Sequence, residues 1–250
     1  MLHGRRLCFV PGISDRFAIR VQCARTMKRL EVIVTSTEEA KQAEEGGADR
    51  LEIVRDLQHE GLTPPVDVVE DILKSVSIPI RVMLRETRNF PVIDDETLNL
   101  LTSRAAYLAQ LPVGGFVLGF IRDAAIDTRS VRHILEIIGN RPVTFHRAIE
   151  HVSDQLAAVE QLRAFSNIDR ILVNGGSGSW HEKRRVLEGL QERAAPEMAI
   201  IVGGGLNEDS LRMLSKSPLL NEFHVGKAAR GADGQVVSAR VAALRQILDA

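Results

Sequence analysis

The feature that most constrains the fold is a set of eight short apolar runs, each followed by a stretch with helical periodicity. The runs are rich in branched aliphatic residues and end at turn-forming residues, as buried parallel strands do. They lie at 30–34, 50–54, 80–84, 115–119, 142–146, 169–173, 199–202 and 222–225. Strict alternation of strand and helix requires a parallel sheet with right-handed crossovers. Eight such units predict an α/β fold, a single-domain (β/α)8 TIM barrel.

Helix signals between the runs support this division of the chain. Ser36 with Glu39, and Ser179 with Glu182, have the spacing of capping boxes, and Ser153 is a candidate N-cap. The last helix is predicted over 236–248. The alternative is an open doubly wound sheet, which usually has about five to seven strands.

Composition excludes several classes of function. The 250 residues carry a formal charge of −1, so no global basic field points to nucleic acid. No apolar run approaches the ~20 residues that span a bilayer. Two cysteines cannot build a disulfide framework, so we expect a cytoplasmic protein.

The first 29 residues differ from the rest of the chain. They hold seven basic residues against one acidic residue, and both cysteines, Cys8 and Cys23. The segment lacks the continuous apolar stretch of a secretory signal, and a transit peptide is the alternative. We expect residues 1–26 to be an extension outside the fold, either disordered or not translated if translation begins at Met27. The barrel is then expected over 27–250.

Two carboxylates interrupt the first two apolar runs. Glu31 and Glu52 each follow a Leu and hold the same relative position in their runs. A barrel places its functional groups at the carboxyl ends of its strands. The pair is a candidate for acid–base catalysis or for binding a hard metal ion. The alternative is that both are solvated at the rim or paired with arginine.

Basic residues end two further runs. Arg85 ends the third run, where its fork suits a carboxylate or phosphate on a substrate. The alternative is an ion pair with Glu31 or Glu52. His146 and Arg147 end the fifth run, and His224 lies in the eighth. The two histidines are candidate bases or metal ligands, since imidazole suits both roles.

Glycine-rich loops follow the last strands. Gly203, Gly204 and Gly205 follow the seventh run, and Lys227 lies just after the eighth. In barrels these loops often present backbone N–H groups to a phosphate. We therefore treat the three glycines and Lys227 as a candidate anion site, although tight turns also need glycine.

The particular residue strings resemble the CutC family, whose members are TIM barrels called copper homeostasis proteins. The resemblance covers about residues 28–230 and rests on LEVIVTS (30–36), GGADRLE (46–52), GLTP (61–64), IPIRVMLR (78–85), VTFHRA (143–148), DRIL (169–172), GGG (203–205) and EFH (222–224). It implies a cytoplasmic protein of copper homeostasis, with copper as its ligand. The implied polar cluster at the barrel mouth is Glu31, Glu52, Arg85, His146, Arg147 and His224.

Two departures from the family pattern bear on copper. Many members have Cys where this chain has Ile33 and Val54, so the thiolates that favour Cu(I) are absent there. The stretch after Arg85 also lacks the proline and both glycines of the family pattern.

Two functional hypotheses predict a cluster of polar residues at the mouth, whereas a third, a non-catalytic interaction barrel, predicts none. The sequence leaves open whether the chain is an enzyme. The first is a CutC-type protein that binds copper. The second is a barrel enzyme for a small anionic or phosphorylated metabolite, with Glu31 or Glu52 as acid or base, His146 as its partner and Arg85 holding the anion. Both predict a metal or small-molecule ligand rather than a nucleic acid or a membrane, and both leave a homo-oligomer open.

Overall fold

Eight parallel strands close into a barrel, which confirms the predicted TIM barrel. The structure, a computed structural model, describes residues 27–88, 90 and 94–250, so the predictions for residues 1–26 lie outside the described residues. The strands there are β1 (Arg29–Val34), β2 (Arg50–Ile53), β3 (Ile80–Met83), β4 (Gly115–Leu118), β5 (Ile121–Arg122), β6 (Ala125–Ile126), β7 (Val143–Phe145), β8 (Ile168–Val173), β9 (Ala199–Val202) and β10 (Glu222–Val225). Around the barrel the order is β1-β10-β9-β8-β7-β4-β3-β2.

Helices of the described chain follow each barrel strand and surround the barrel. They are α1 (Thr37–Glu45), α2 (Val66–Ser75), α3 (Asp95–Leu108), α4 (Thr128–Ile138), α5 (Gln155–Leu162), α6 (Trp180–Ala194), α7 (Glu208–Leu214) and α8 (Ser238–Asp249). The prediction for α8 began two residues early. Strands β5 and β6, which the sequence did not predict, form a separate antiparallel ribbon after β4.

The barrel strands are buried on both faces, which explains their nearly continuous apolar sequences. Leu30, Val32 and Val34 of β1 belong to the main core between strands and helices. The alternate residue Ile33 belongs instead to a small apolar cluster inside the barrel, with Val54, Met83 and Val117. Successive residues of a barrel strand therefore alternate between facing the surrounding helices and facing the lumen.

The helix caps confirm one of the three cap signals in full and correct the other two. Ser179 and Glu182 form the predicted capping box. Ser36 caps α1 as predicted, but the Glu39 carboxylate accepts from the N–H of Thr35 at 2.8 Å, so that box is only half formed. The prediction of Ser153 as a cap was wrong, because the side chain of Asp154 accepts from the N–H of Ala157 at 3.0 Å.

Parallel strands bring their carboxyl ends to one rim of the barrel, which we call the mouth. Three 3-10 helices follow β2, β7 and β10 at this rim: Leu57–His59, Arg147–His151 and Lys227–Ala229. In the described part of the chain, every helix is too short or too polar to cross a membrane.

Candidate functional site at the barrel mouth

The barrel lumen is lined by charged side chains at alternate strand positions. Strand register places Glu31 of β1 beside Arg50 of β2 on one side and beside His224 of β10 on the other. Glu52 lies beside Ile33, one step nearer the mouth. Glu31 and Glu52 share a sequence position in their strands but differ in depth, because neighbouring barrel strands are staggered.

Ion pairs fill the deeper half of the lumen. Arg50 is bonded to Glu31 and also donates to Glu222 at 2.8 Å. Arg170 donates to the same Glu222 carboxylate at 2.6 Å. Arg170 is also bonded to Asp169, and Arg81 forms a two-bond pair with Asp169, at 2.7 and 2.6 Å, and donates to Thr144 at 2.7 Å. Sequence analysis allowed for an arginine partner of Glu31 but missed the rest of this network, although charges at every second position of a strand were a usable signal.

Glu31, Glu52 and His224 form a buried trio above this network. His224 Nδ1 lies 2.8 Å from Glu31 Oε1 and 3.3 Å from Glu52 Oε2. Burial opposes the charge on the ring, but the two carboxylates outweigh it and raise the pKa of His224. In the absence of a metal ion, a proton on Nδ1 therefore bridges the two acids.

The two carboxylates of the trio have opposite electrostatic environments. Burial alone would raise the pKa of Glu31, but Arg50 and His224 outweigh burial and hold that pKa far below its usual value. Burial raises the pKa of Glu52 to about 7, and the charge on Glu31 adds to the rise. Glu52 Oε1 is buried and has no hydrogen-bond partner among the described residues. Glu52 is therefore the carboxylate that can change protonation near neutral pH.

His146 directly follows β7, and one of its two ring nitrogens has a hydrogen-bond partner among the described residues. Its Nδ1 accepts from the N–H of Ala148 at 3.2 Å, which places the ring proton on Nε2. Nε2 is buried without a partner among the described residues. Burial, with the charge of Arg85, lowers the pKa of His146 to about 3, so the ring is neutral. Gly119 makes room for it, since a Cβ there would lie 2.5 Å from Nδ1.

Arg85 organises two loops of the mouth. Its guanidinium stacks on Phe90, with Cζ 4.5 Å from the ring centroid. Its N–H groups donate at 2.8–3.3 Å to the carbonyl oxygens of Glu60, Gly61, Thr87 and Arg88. The alternative of an ion pair with Glu31 or Glu52 was wrong, because within the described chain Arg85 bonds carbonyls instead.

A cavity of about 760 Å³ opens at the mouth, and most of the predicted site residues line it. Those lining it are Glu52, Arg85, His146, Arg147, Gly204, Gly205, His224 and Lys227. Glu31 lies beneath it, and Gly203 lies beside it with its N–H bonded to Val173. Arg147 is paired with Glu60 at 2.7 Å and with Glu150 at 2.7 Å. Arg240 and Phe90 also line the cavity and were not predicted.

Donor atoms of the trio are close enough to hold one metal ion. One atom from each of Glu31, Glu52 and His224 lies within 4.8 Å of the others, and all three residues are buried. His146 does not belong to this group. The chain has only two cysteines, Cys8 and Cys23, and both lie outside the described residues. Ile33 and Val54, which stand at common cysteine positions, pack in the apolar cluster of the lumen.

Comparisons with known proteins agree with the observed fold and with the family resemblance of the sequence segments. The model of the CutC family matches residues 28–229. A human protein named copper homeostasis protein cutC homolog is 32% identical over 196 residues, covering 78% of this chain and 71% of the relative. A family protein CutC from Xanthomonas axonopodis pv. citri (strain 306) is 30% identical over 85% of this chain and 86% of the relative. The crystal structure of CutC from Streptococcus agalactiae superposes with a TM-score of 0.74 at 25% identity, covering 79% of this chain and 98% of that one.

Proposed function

Since this chain belongs to the CutC family, we propose that it acts in copper homeostasis and binds a copper ion between Glu31, Glu52 and His224. The observation that carries the proposal is the spacing of the three buried donor atoms. Metal ligands at about 2.0–2.2 Å from an ion lie roughly 3 to 3.5 Å from each other. Two separations in the trio, 2.8 and 3.3 Å, are close to that range.

Copper would replace the proton that bridges the trio. His224 Nδ1 faces both carboxylates, so its lone pair faces the same point once the proton leaves. Arg50 holds Glu31 in place from the far side, and the unpartnered Oε1 of Glu52 leaves that carboxylate free to turn. The chain's own residues thus supply two oxygen donors and one imidazole nitrogen.

This donor set selects the oxidation state of the metal. Carboxylate and imidazole ligands suit Cu(II), whereas Cu(I) prefers thiolate and thioether sulfur. The sulfur of Met83 is not among the donor atoms of the trio, and Met83 packs with Ile33, Val54 and Val117. We therefore propose Cu(II) as the bound form, with other divalent ions of similar preference as competitors.

Competition against a chromophoric chelator tests the proposal. Glu52→Gln and His224→Gln should each weaken Cu(II) binding by at least about tenfold, because each removes a donor. Glu60→Gln is the matched control, since Glu60 lines the same cavity but pairs with Arg147. Native-like circular dichroism of each variant confirms folding. If Glu52→Gln and His224→Gln bind Cu(II) like the native protein, the site is wrong.

A second candidate function, acid–base catalysis, is favoured by two buried, unpartnered atoms of residues that line the cavity. Glu52 Oε1 and His146 Nε2 are both buried without a hydrogen-bond partner among the described residues. Both residues line the cavity. A buried polar group without a partner is costly, so a substrate that pairs with both atoms would be stabilised there.

The roles within this candidate follow from the surroundings of each group. Glu52, with a pKa of about 7, can accept or donate a proton at neutral pH, while Glu31 stays ionised. Neutral His146 can donate a hydrogen bond from Nε2 to a carbonyl or hydroxyl oxygen of the substrate. Arg85 would act mainly by shaping the loops, since its donors already bond four carbonyls.

Metabolite extracts incubated with the protein in D2O test this candidate. The native protein should convert a compound or add deuterium to it, and Glu52→Gln should not. Extracts that are unchanged by the native protein, or changed equally by the variant, would contradict a catalytic role for Glu52.

We propose the cytoplasm as the place of either function. The support is the cysteine content, since two cysteines in 250 residues do not form the disulfide framework of secreted domains. Fractionation of cells that express the native chain tests this, and recovery in a secreted fraction would contradict it.

A further inference from the structure

Two adjacent loops at the mouth form a wall of the cavity that the proposed functions do not use. One follows β9 and contains Gly204 and Gly205, and the other follows β10 and begins the 3-10 helix Lys227–Ala229. The loops are neighbours because β9 and β10 are paired in the barrel. Gly204, Gly205 and Lys227 all line the cavity.

The wall presents backbone N–H groups without partners. The N–H groups of Gly204, Gly205 and Lys227, which all line the cavity, make no hydrogen bond to any described residue. Gly204 and Gly205 have φ of +79° and +98°, and a Cβ on Gly204 would lie 2.9 Å from Cβ of Asn174. Glycine is therefore required at Gly204.

Unpaired positive charge lies beside these amides. Lys227 and Arg240 are exposed, line the cavity, and form no ion pair with any described residue. By contrast, Arg230 is bonded to Glu39, and Arg147 is bonded to Glu60 and Glu150. Two cations thus remain uncompensated at this wall.

The floor of the same cavity gives an independent sign of a ligand. His146 Nε2 and Glu52 Oε1 are unpartnered, and their residues are only 2% and 1% exposed. Native structures rarely leave such atoms unpaired. A molecule that spans the cavity from wall to floor would satisfy both regions.

We propose that the amides of Gly204, Gly205 and Lys227, together with the ammonium of Lys227, bind the phosphate group of a small organic phosphate. A phosphate dianion has several acceptor oxygens and matches a set of N–H donors with adjacent positive charge. The start of α7 does not supply this site, because Asn207 and Ser210 cap it and two acidic residues, Glu208 and Asp209, occupy its first turn. None of these donors belongs to the trio, so the proposal does not depend on copper.

Calorimetry with inorganic phosphate, at constant ionic strength set with chloride, tests the phosphate site on the full chain without metal. The native protein should bind phosphate with measurable heat, and Lys227→Met should weaken binding by at least about fivefold. Arg240→Gln should weaken it by less, because Arg240 acts only through its charge.

Lys216→Met is the matched control, since Lys216 is also exposed but follows α7 at the opposite end of the barrel. It should bind phosphate like the native protein. The proposal is overturned if the native protein binds phosphate no better than chloride, or if Lys227→Met and Lys216→Met bind it equally.

Discussion

At the scale of single residues, the lumen shows how neighbours divide the roles of two identical side chains. Glu31 accepts from Arg50 and His224, so it stays ionised. Glu52 has one oxygen near His224 and the other without a partner among the described residues, so burial dominates its pKa. The two carboxylates have different neighbours because the stagger between β1 and β2 places Glu52 beside Ile33, two residues nearer the mouth than Glu31.

Glu52 should make stability depend on pH. Its pKa of about 7 in the folded protein lies above the ordinary 4.5 of the unfolded chain. The folded state therefore holds the extra proton, and this stabilising contribution is complete below about pH 4.5 and is lost as pH rises through 7. We expect the free energy of unfolding of the native protein, relative to Glu52→Gln, to fall between pH 5 and pH 8. Urea unfolding of both proteins at pH 5 and pH 8 measures this difference in free energy of unfolding. A difference that is constant or rises with pH would contradict the environment described for Glu52.

Glu31 should be far more costly to replace. Glu31→Gln leaves the buried Arg50 and His224 without their shared carboxylate, and breaking a buried ion pair costs about 3–5 kcal/mol. Glu192→Gln on the exposed surface of α6 is the control and should stay within about 0.5 kcal/mol of native. Chemical denaturation near pH 7 compares the two. Equal stability of both variants would show that Glu31 is not held as described.

At the scale of elements, the sequence predicted the secondary structure wherever the pattern of neighbouring residues is enough to determine it. All eight barrel strands coincide with the predicted apolar runs, because each strand is buried on both faces. Charges such as Arg50 and Arg81 were passed over, although they lie at inward positions of β2 and β3. Their partners come from across the barrel, and no local pattern gives the stagger that brings those partners together.

The corrected cap of α5 gives a test at this scale. Asp154→Ala removes the acceptor for the N–H of Ala157 and should lower the free energy of unfolding by about 1 kcal/mol. Ser153→Ala, the adjacent matched change, should have little effect because Ser153 does not cap the helix. Thermal or urea unfolding distinguishes them. A larger loss for Ser153→Ala would restore the original assignment of the cap.

At the scale of the whole molecule, ion pairs close the deeper lumen and leave the mouth open. Strands β1, β2 and β10 carry the trio, while the loops after β9 and β10 carry the free amides and Lys227. Sequence reasoning assembled most of these residues because a barrel brings the carboxyl ends of all strands together. It could not foresee that Arg85 would bond loop carbonyls or that Glu31 would lie below the cavity.

Copper binding by the trio should depend on pH. The ion replaces a proton on His224, whose pKa is raised, and requires Glu52, with a pKa of about 7, to be ionised. Lowering the pH from 8 to 6 should therefore weaken Cu(II) binding by at least about tenfold. Competition titrations across that range measure it, and an affinity independent of pH would argue against the trio as the ligand set.

The most direct test of the copper site is anomalous diffraction at the copper edge from crystals of the native protein loaded with Cu(II). We predict the strongest peak in the lumen, within about 2.2 Å of Glu31 Oε1, Glu52 Oε2 and His224 Nδ1. The same crystals of Glu52→Gln should lose most of that peak. A strongest peak elsewhere, with the trio still joined by its hydrogen bonds, would contradict the account.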